Sequence, residues 1–363
     1  MNISIFGLSI TSSWGNGHAT TYRALIRELH QAGHAITFYE RDVPWYANQR
    51  DLPDPPFCKT VLYQSLEELN QYYDDVFSAD AIIIGSYVPE GVPLGTLLTA
   101  QFEVPVAFYD IDTPVTIRKM VNHDYEYLSP DLIARYDLYL SFSGGPILEK
   151  LQAIYGSRRA VPLYCSVDTH LYYPDVSDKK WKLGYMGTYS DDRQPTVEKL
   201  LIEPARELKQ QRFVIAGPGY NTENWPENIT YIPHLPPEQH RDFYNQQCFT
   251  LNVTRQDMIE AGYSPSVRLF EAAACGTPVI SDSWEGLNSF FVPGKEILTA
   301  DSSIDINFYL SELSQEEGVK IGQRARQLIL TRHTAAHRAR ELIEYLKELS
   351  KNKTNEHPIS AKN

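Results

Sequence analysis

The sequence lacks long apolar runs, closely spaced cysteines and an excess of basic residues. No apolar stretch approaches the roughly 18 residues that a membrane-spanning helix needs, and the first residues lack the basic region of a signal peptide. The 33 basic and 46 acidic residues give a net charge of −13, which argues against nonspecific binding to nucleic acids or anionic membranes. The four cysteines form no Cys-x-x-Cys motif, so we expect free thiols in a cytoplasmic protein, without disulfides or a zinc site.

Short runs of β-branched and aromatic residues alternate with helical patterns, which is typical of parallel α/β units. The strand candidates of the first half are residues 2–8, 35–39, 81–84, 104–109, 139–142 and 161–164. Those of the second half are residues 183–186, 213–216, 229–232, 249–253, 278–281 and 297–299. The polar segment 166–178 separates the two series. We therefore predict two doubly wound, Rossmann-like domains.

The domain boundaries follow from these series. We predict an N-terminal domain over residues 1–170 and a C-terminal domain over residues 180–332. An amphipathic helix is predicted over residues 333–349, after a helix that starts at a Ser314-x-x-Glu317 capping box. Residues 350–363 are polar and without periodicity, which predicts a disordered tail.

A polar stripe lies on the otherwise apolar helix predicted over residues 264–275. Ser264 suits the N-cap of this helix and Pro265 suits its first helical position. At about 100° per residue, Ser264, Arg268 and Glu271 fall on one line. A buried carboxylate and a buried guanidinium must be paired or must face a ligand. The sequence leaves both interpretations open: an Arg268–Glu271 ion pair, or a ligand-binding stripe.

The loop after the first strand contains Gly15-Asn16-Gly17, followed by His18. Such a loop offers backbone N–H groups and a helix dipole to an anion or a sugar hydroxyl. The pattern is not a full Gly-x-Gly-x-x-Gly, although Glu40 stands near the position where dinucleotide-binding units have an acidic residue. A tight turn without a ligand is the alternative.

The second domain opens in the same way, with Gly187 after its first strand and Arg193 six residues later. The glycine lets a diphosphate approach the backbone, and the arginine neutralises its charge. The alternative for Arg193 is a surface ion pair with Asp191 or Asp192.

Further loops of the second domain should reach the same crevice, because ligands of open parallel sheets bind outside the carboxyl ends of the strands. Gly217 and His234 lie on two of these loops, and Arg255 follows another strand, close to the helix that carries Glu271. Two arginines and a helix N-terminus at one point indicate an anionic ligand.

Two carboxylates, Asp110 and Asp112, close a strand of the first domain. They suit hydroxyl binding or a general base, and equally an N-cap or turn. His18 and His123 are further candidates for this cleft. The surroundings of Asp110 and Asp112 do not resemble a metal site, so we expect no metal requirement.

Several segments together resemble a known family. In the second half they are Asn252-Val-Thr-Arg255, the run from Gly262 to Asp282 that includes Glu-Ala-Ala-Ala-Cys-Gly-Thr-Pro, and Gly294-Lys-Glu-Ile297. In the first half they are Ser13-Trp-Gly-Asn-Gly-His18 and Tyr39-Glu-Arg-Asp-Val-Pro-Trp45. These segments look like the group 1 glycosyltransferases, and specifically their spore-maturation CgeB-like branch. The resemblance covers nearly the whole chain.

The resemblance implies a GT-B fold, with two facing Rossmann-like domains and a final helix that crosses back to the first. It also implies that the first domain binds the acceptor and the second binds a nucleotide-sugar. By the same resemblance Glu271 holds the ribose hydroxyls, Arg193 meets the donor diphosphate, and the loop of His234 lies by the nucleobase.

One departure from the family concerns its Glu-x7-Glu motif. The first glutamate of that motif is replaced by Tyr263. Contacts to the donor sugar would then come from Ser264 or Ser266. The departure leaves the donor sugar and the retaining stereochemistry open.

We therefore expect transfer of a hexose from a UDP- or GDP-linked sugar to a hydroxyl of an unknown glycan, lipid, protein or small molecule. The reaction is expected to be retaining, without metal or cofactor, and nucleic acid is not an expected partner. The donor-binding candidates are Gly187, Arg193, Gly217, His234, Arg255, Ser264, Ser266, Arg268 and Glu271. The acceptor loop is Gly15, Asn16 and Gly17, and the catalytic candidates are His18, Asp110 and Asp112. The alternatives are a nucleotide-sugar epimerase on the same fold and a noncatalytic nucleotide-sugar-binding or coat-assembly protein.

Overall fold

The chain forms two compact units in the computed structural model, which describes residues 1–14 and 17–356. The first unit comprises Met1–Cys165 together with the chain from Ala335 onward, and the second comprises Ser166–Thr334. The polar segment 166–178 thus lies wholly within the second unit. The chain leaves the first unit once and returns to it once.

The first unit is built on a parallel sheet of seven strands. The strands are β1 Asn2–Gly7, β2 Ala35–Arg41, β3 Lys59–Tyr63, β4 Ala81–Gly85, β5 Val106–Asp110, β6 Leu138–Ser141 and β7 Ala160–Pro162. Their order is β3-β2-β1-β4-β5-β6-β7, so the direction of winding reverses between β1 and β4. β4 is buried at every position, as a central parallel strand requires. The sequence did not predict β3, an edge strand in which only alternate residues are buried.

Seven helices of the first unit connect these strands. They are α1 His18–Gln31, α2 Pro44–Ala47, α3 Tyr73–Phe77, α4 Gly91–Gln101, α5 Thr113–Val121, α6 Pro130–Ile133 and α7 Pro146–Ala153. On α1 the side chains of Leu25, Ile26 and Leu29 share a buried face. They join the apolar core under the sheet.

The second unit repeats the design with a parallel sheet of six strands. The strands are β8 Trp181–Met186, β9 Phe213–Ala216, β10 Ile229–Ile232, β11 Gln247–Asn252, β12 Val279–Ser281 and β13 Leu298–Thr299. Their order is β10-β9-β8-β11-β12-β13, and here the winding reverses between β8 and β11. Both sheets therefore have the strand order of nucleotide-binding Rossmann folds. The predicted class, two Rossmann-like α/β domains, is confirmed.

The helices of the second unit are α8 Gln194–Val197, α9 Glu203–Glu207, α10 His240–Asn245, α11 Gln256–Ala261, α12 Val267–Ala274, α13 Ser303–Glu312 and α14 Gln315–Arg332. The predicted capping box is present at α14, where the Ser314 hydroxyl and the Glu317 carboxylate each accept a hydrogen bond from the other residue's backbone N–H.

The helix α12 begins later than predicted. Gly262 and Tyr263 have positive φ angles of 65° and 47°, which are incompatible with continuous right-handed helix. The N-cap residue is Ser266, not Ser264, and Pro265 precedes the helix. The polar stripe predicted from helical spacing therefore does not include Ser264.

The last helix, α15 Ala335–Glu356, belongs to the first unit. Its Leu342 and Leu346 are fully buried in the same core as Leu25 of α1. The return of this helix to the first unit was expected. The prediction of a disordered tail from residue 350 is wrong for residues 350–356, which continue the helix. Residues 357–363 lie outside the described part.

Candidate functional site

The carboxyl edge of the second sheet brings two glycine loops together, one after β8 and one after β9. Gly187 follows β8 and donates its N–H to the carbonyl of Ala216, at 2.8 Å. Gly217, with a φ of 138°, follows the neighbouring β9. A β-carbon on Gly217 would lie 2.1 Å from the carbonyl oxygen of Gly187, so only glycine fits this approach. The close contact fixes two loops at the edge where ligands of such sheets bind.

Arg268 of α12 reaches across this edge to the end of β8. Its Nε donates to the carbonyl of Met186 at 2.6 Å, and its Nη1 donates to Oδ1 of Asn252 at 2.9 Å. The guanidinium also lies over the ring of Tyr185, 5.0 Å from the centroid. Asn252 Oδ1 further accepts a hydrogen bond from the Ser266 hydroxyl at 2.8 Å. Asn252, which we did not predict as a site residue, therefore orients both Arg268 and the start of α12.

Arg193 lies close to Arg268 and Arg255. Its Nε donates to the Ser190 hydroxyl at 2.8 Å and its Nη2 to the carbonyl of Thr188 at 2.5 Å. Burial lowers the pKa of Arg193, and the charges of Arg268 and Arg255 lower it further. Three cations therefore converge at one end of the sheet.

The hydrogen bonds of Arg193 and Arg268 do not cancel the positive charge of these two side chains. Within the described residues, Arg193 and Arg268 donate only to neutral acceptors. The predicted alternative for Arg193, an ion pair with Asp191 or Asp192, is absent there, although the charge of Arg193 contributes to lowering the pKa of Asp192. Like charges held together in this way favour an anionic ligand.

Glu271 is buried just past the first turn of α12, with only 7 % of its surface exposed. Its Oε2 accepts a hydrogen bond from the Tyr244 hydroxyl at 2.9 Å. Burial, followed by the charge of Glu271, raises the pKa of Tyr244 and of Tyr172 well above its usual value. Arg268 points elsewhere, so the Arg268–Glu271 ion pair that the sequence left open is not formed. Tyr244, on the earlier helix α10, could not be found from sequence spacing.

The remaining donor candidates are placed as follows. His234 follows β10 and is exposed. Ser264 is buried just before α12, and Tyr263 donates its N–H to the carbonyl of Glu285 at 2.6 Å. Gly187, Arg193, Gly217, Arg255, Ser266, Arg268 and Glu271 all follow carboxyl ends of strands of this sheet or lie on α12.

In the first unit, Glu40 is a structural anchor and not a ligand-binding group. It ends β2 and is fully buried. Its Oε2 accepts hydrogen bonds from the N–H groups of Ile10 and Thr11 at 2.6 and 3.0 Å, and its Oε1 accepts one from the Thr11 hydroxyl at 2.6 Å. The carboxylate therefore fixes the loop after β1 from below. Of the predicted acceptor loop, Gly17 is the N-cap residue of α1, while Gly15 and Asn16 lie outside the described residues.

Asp110 is enclosed by protein partners at the end of β5. Its Oδ2 accepts from the Tyr139 hydroxyl at 2.5 Å, and its Oδ1 accepts from the Thr116 hydroxyl at 2.9 Å. Its Oδ1 also accepts from the N–H of Asp112, at 3.2 Å. The side chain is fully buried, and burial raises the pKa of Asp110 to about 6. This geometry favours the turn role that the sequence left open over a catalytic role.

We expect the substitution Asp110→Asn to change how stability depends on pH. The folded protein keeps the Asp110 proton up to about pH 6, whereas the unfolded chain loses it near pH 3.8. The free energy of unfolding of the wild type should therefore fall, relative to that of the variant, as the pH rises from about 4 to about 6, by about 1–2 kcal/mol. Urea unfolding of both proteins across this range measures the difference. Two parallel pH curves would contradict it.

His18 and Asp112 approach each other through Tyr87. The Tyr87 hydroxyl donates to Oδ2 of Asp112 at 3.2 Å, and its ring meets the ring of His18 edge-on at 5.2 Å. Burial lowers the pKa of His18 to about 4, so this imidazole is neutral near pH 7. Tyr87 has a φ of 64°, a conformation that non-glycine residues rarely adopt and that clusters at functional sites. We did not predict Tyr87, because backbone strain leaves no signal in one sequence.

His123 is not part of this group. It is exposed, and its Nδ1 lies 2.8 Å from the Tyr125 hydroxyl. In the described part of the chain, no three His, Cys, Asp or Glu side chains are grouped as metal ligands. None of the helices described is long and apolar enough to cross a membrane.

Residues 193–344 match the family model described as glycosyl transferase-like. The match covers most of the second unit, including every arginine of the cluster and Glu271. It spans less than half of the chain. No curated protein sequence matches significantly.

Solved structures share the fold over nearly the whole chain. Sucrose-phosphate synthase from Thermosynechococcus elongatus has a TM-score of 0.72 at 15 % identity, covering 97 % of this chain and 100 % of that one. HepE from Anabaena, solved with UDP and glucose, has a TM-score of 0.66 at 14 % identity, with 96 % and 100 % covered. An α-glucosyltransferase solved with UDP and a DNA 13-mer has a TM-score of 0.66 at 14 % identity, with 96 % and 99 % covered. The predicted GT-B fold is thereby confirmed, and residues 193–344 are similar to the glycosyl transferase-like family.

Proposed function

We propose that this protein transfers a hexose from a UDP- or GDP-linked sugar to a hydroxyl group of an acceptor. The observation that carries the proposal is the convergence of Arg193, Arg255 and Arg268 at the reversal point of the second sheet, beside Glu271. A nucleoside diphosphate offers the two groups that this arrangement suits: an anion for the arginines and ribose hydroxyls for the carboxylate.

The proposed donor site uses the second unit. The diphosphate lies against the loops of Gly187 and Gly217, which the missing side chain of Gly217 brings into contact. The arginines stabilise the negative charge that develops on the diphosphate as the bond to the sugar breaks. The loop of His234 lies by the nucleobase, and Ser264 or Ser266 contacts the donor sugar in place of the glutamate that Tyr263 replaces.

The proposed acceptor site uses the first unit and the loop of Gly15, Asn16 and Gly17. His18 is neutral near pH 7, so a nitrogen of its ring can accept a hydrogen bond from an acceptor hydroxyl. The Tyr87 ring packs against His18, and the Tyr87 hydroxyl donates a hydrogen bond to Asp112. Asp110 acts here only by fixing the backbone of Asp112.

The finer features of the reaction are proposals as well. Three arginines supply the positive charge that a divalent metal would otherwise provide, which supports a metal-independent reaction.

We propose retention of the anomeric configuration and membership of the CgeB-like branch from the sequence resemblance. The free cysteines support a reducing compartment such as the cytoplasm. The net charge of −13 supports a glycan, lipid, protein or small molecule as acceptor, and not a nucleic acid.

Thermal unfolding with nucleotides and nucleotide-sugars tests the proposal. UDP or GDP, at a concentration about one hundred times its dissociation constant, should raise the free energy of unfolding by roughly 2.7 kcal/mol. The melting temperature should rise accordingly. Nucleosides alone should raise it much less. The bound donor is then incubated with and without candidate acceptors, and the products are identified by NMR. Epimerised or free sugar without acceptor would indicate the epimerase, and binding without consumption of any donor would indicate the noncatalytic protein.

A further inference from the structure

Two tryptophans are exposed at the carboxyl edge of the first sheet. Trp14 follows β1 and Trp45 lies on α2, directly after β2, and they are 56 % and 57 % exposed. β1 and β2 are neighbours in the sheet, so both indoles belong to adjacent loops at one edge. Large aromatic rings usually contribute to a core, and their exposure at a ligand-binding edge calls for a function.

The loops that carry the two tryptophans are joined to each other. The Ser12 hydroxyl donates to the carbonyl of Gln49 at 2.6 Å, and the N–H of Leu52 donates to the carbonyl of Thr11 at 3.0 Å. The first loop is also fixed from below by the buried carboxylate of Glu40. The backbone segments that carry the two indoles are therefore held by the same network.

A second carboxylate holds the outer side of this network. Asp51 accepts hydrogen bonds from the N–H and hydroxyl of Ser13 at 2.8 and 2.9 Å, and both oxygens of Asp51 pair with the guanidinium of Arg23 at 2.7 and 2.9 Å. Although burial opposes it, these bonds lower the pKa of Asp51 to about 2. The connection therefore persists throughout the pH range of ordinary assays. Rigid support of this kind preorganises a binding surface.

We propose that Trp14 and Trp45 form a platform that binds a saccharide ring of the acceptor. The inference rests on the proposed glycosyltransferase function and names the chemical class of its acceptor. A sugar ring has an apolar C–H face that packs on an indole, and hydroxyls at its rim that need hydrogen-bond partners.

The surroundings of the tryptophans distinguish a saccharide from other ligands. The exposed amides of Asn48 and Gln49 lie along the chain that follows Trp45. These groups match sugar hydroxyls, whereas a lipid chain requires a continuous aliphatic surface. The carboxylate of the exposed Asp54 repels the phosphates of a nucleic acid.

Saturation-transfer NMR with methyl glucoside, methyl galactoside, methyl mannoside and maltose tests the platform without depending on tryptophan fluorescence. We expect saturable binding of at least one of these sugars by the wild type, with the C–H protons of one ring face receiving most saturation. Trp14→Ala and Trp45→Ala should each weaken this binding at least tenfold, and Trp45→Tyr should retain most of it. Phe77→Ala is the matched control, because Phe77 is 63 % exposed on α3 in the same unit and lies near the amino edge of the sheet.

The outcomes separate the platform from the proposed function. Absence of saturable sugar binding by the wild type, or equal binding by the wild type and both alanine variants, would overturn the platform. Binding of phosphatidylcholine vesicles or of a single-stranded oligonucleotide that both variants lose would also overturn it, in favour of a lipid or a nucleic acid. Thermal shifts with UDP and GDP should be the same in all variants. Sugar binding that depends on the tryptophans, in a protein that binds no nucleotide, would support the platform while refuting the transferase.

Discussion

The substitution Glu271→Gln should lower the affinity for UDP or GDP roughly ten- to a hundredfold. A carboxylate that accepts hydrogen bonds from ribose hydroxyls contributes on the order of 1.5–3 kcal/mol, and the amide keeps the shape while losing the charge. Folding stability should change little, because the Tyr244 hydroxyl can still donate to the amide oxygen and Arg268 does not depend on Glu271. Calorimetry of nucleotide binding and urea unfolding of the variant measure the two effects.

The contact with ribose can be isolated with a modified ligand. The wild type should bind 2′,3′-dideoxy-UDP much more weakly than UDP, and Glu271→Gln should hardly distinguish the two. Glu260→Gln, an identical change at an exposed position of α11, is the matched control and should bind as the wild type does. Tyr244→Phe removes the hydrogen bond to Glu271 and should cost a few-fold in affinity. An unchanged dissociation constant together with a large loss of stability would refute the ribose assignment.

Replacing Arg193 and Arg255 together with Met should weaken UDP or GDP binding by roughly a hundredfold or more. Each charged hydrogen bond to the diphosphate is worth on the order of 1.5–3 kcal/mol, while the remaining Arg268 keeps part of the site. Binding of uridine or guanosine should fall much less, because a nucleoside carries no phosphate. Removing these two positive charges also removes their repulsion of Arg268, so Arg268 should keep its hydrogen bonds. Calorimetry with nucleotide and nucleoside gives both values.

The control for this double variant is Arg206→Met. Arg206 is paired with Glu198 on the surface of the same unit, so the substitution removes one positive charge away from the cluster. It should leave nucleotide affinity unchanged at moderate salt. If the double variant loses nucleoside and diphosphate binding equally, the two arginines support the fold and do not bind the diphosphate.

Some elements could be predicted from the sequence because residues close together in the chain determine them. Ten of the predicted strands share at least three residues with observed ones, since parallel strands buried on both faces are continuous runs of apolar residues. The capping box at Ser314 and the buried face of α1 were predicted from residue spacing alone. The edge strand β3 was missed because its burial alternates and its flanks are polar.

The candidate site was only partly accessible in this way. Arg193 and Arg255 follow strand ends, and the rule that ligands bind outside the carboxyl ends of parallel strands places them together. The sequence did not decide whether Arg268 and Glu271 pair with each other or face a ligand, because helical spacing allows an ion pair between them. In the structure Arg268 donates a hydrogen bond to Asn252, and Glu271 accepts one from Tyr244, so the two side chains do not pair.

The sequence by itself determined the two-unit α/β architecture and the edge at which the arginines gather, because periodicity and burial are encoded locally. Only the tertiary structure decided which polar groups meet. It assigned Glu40 and Asp110 to structural hydrogen bonds, placed Tyr87 between His18 and Asp112, and started α12 after the left-handed turn at Tyr263. The physical reason is that a buried charge or hydroxyl is satisfied by whichever partner the fold brings within about 3 Å, and such partners lie far apart in the chain.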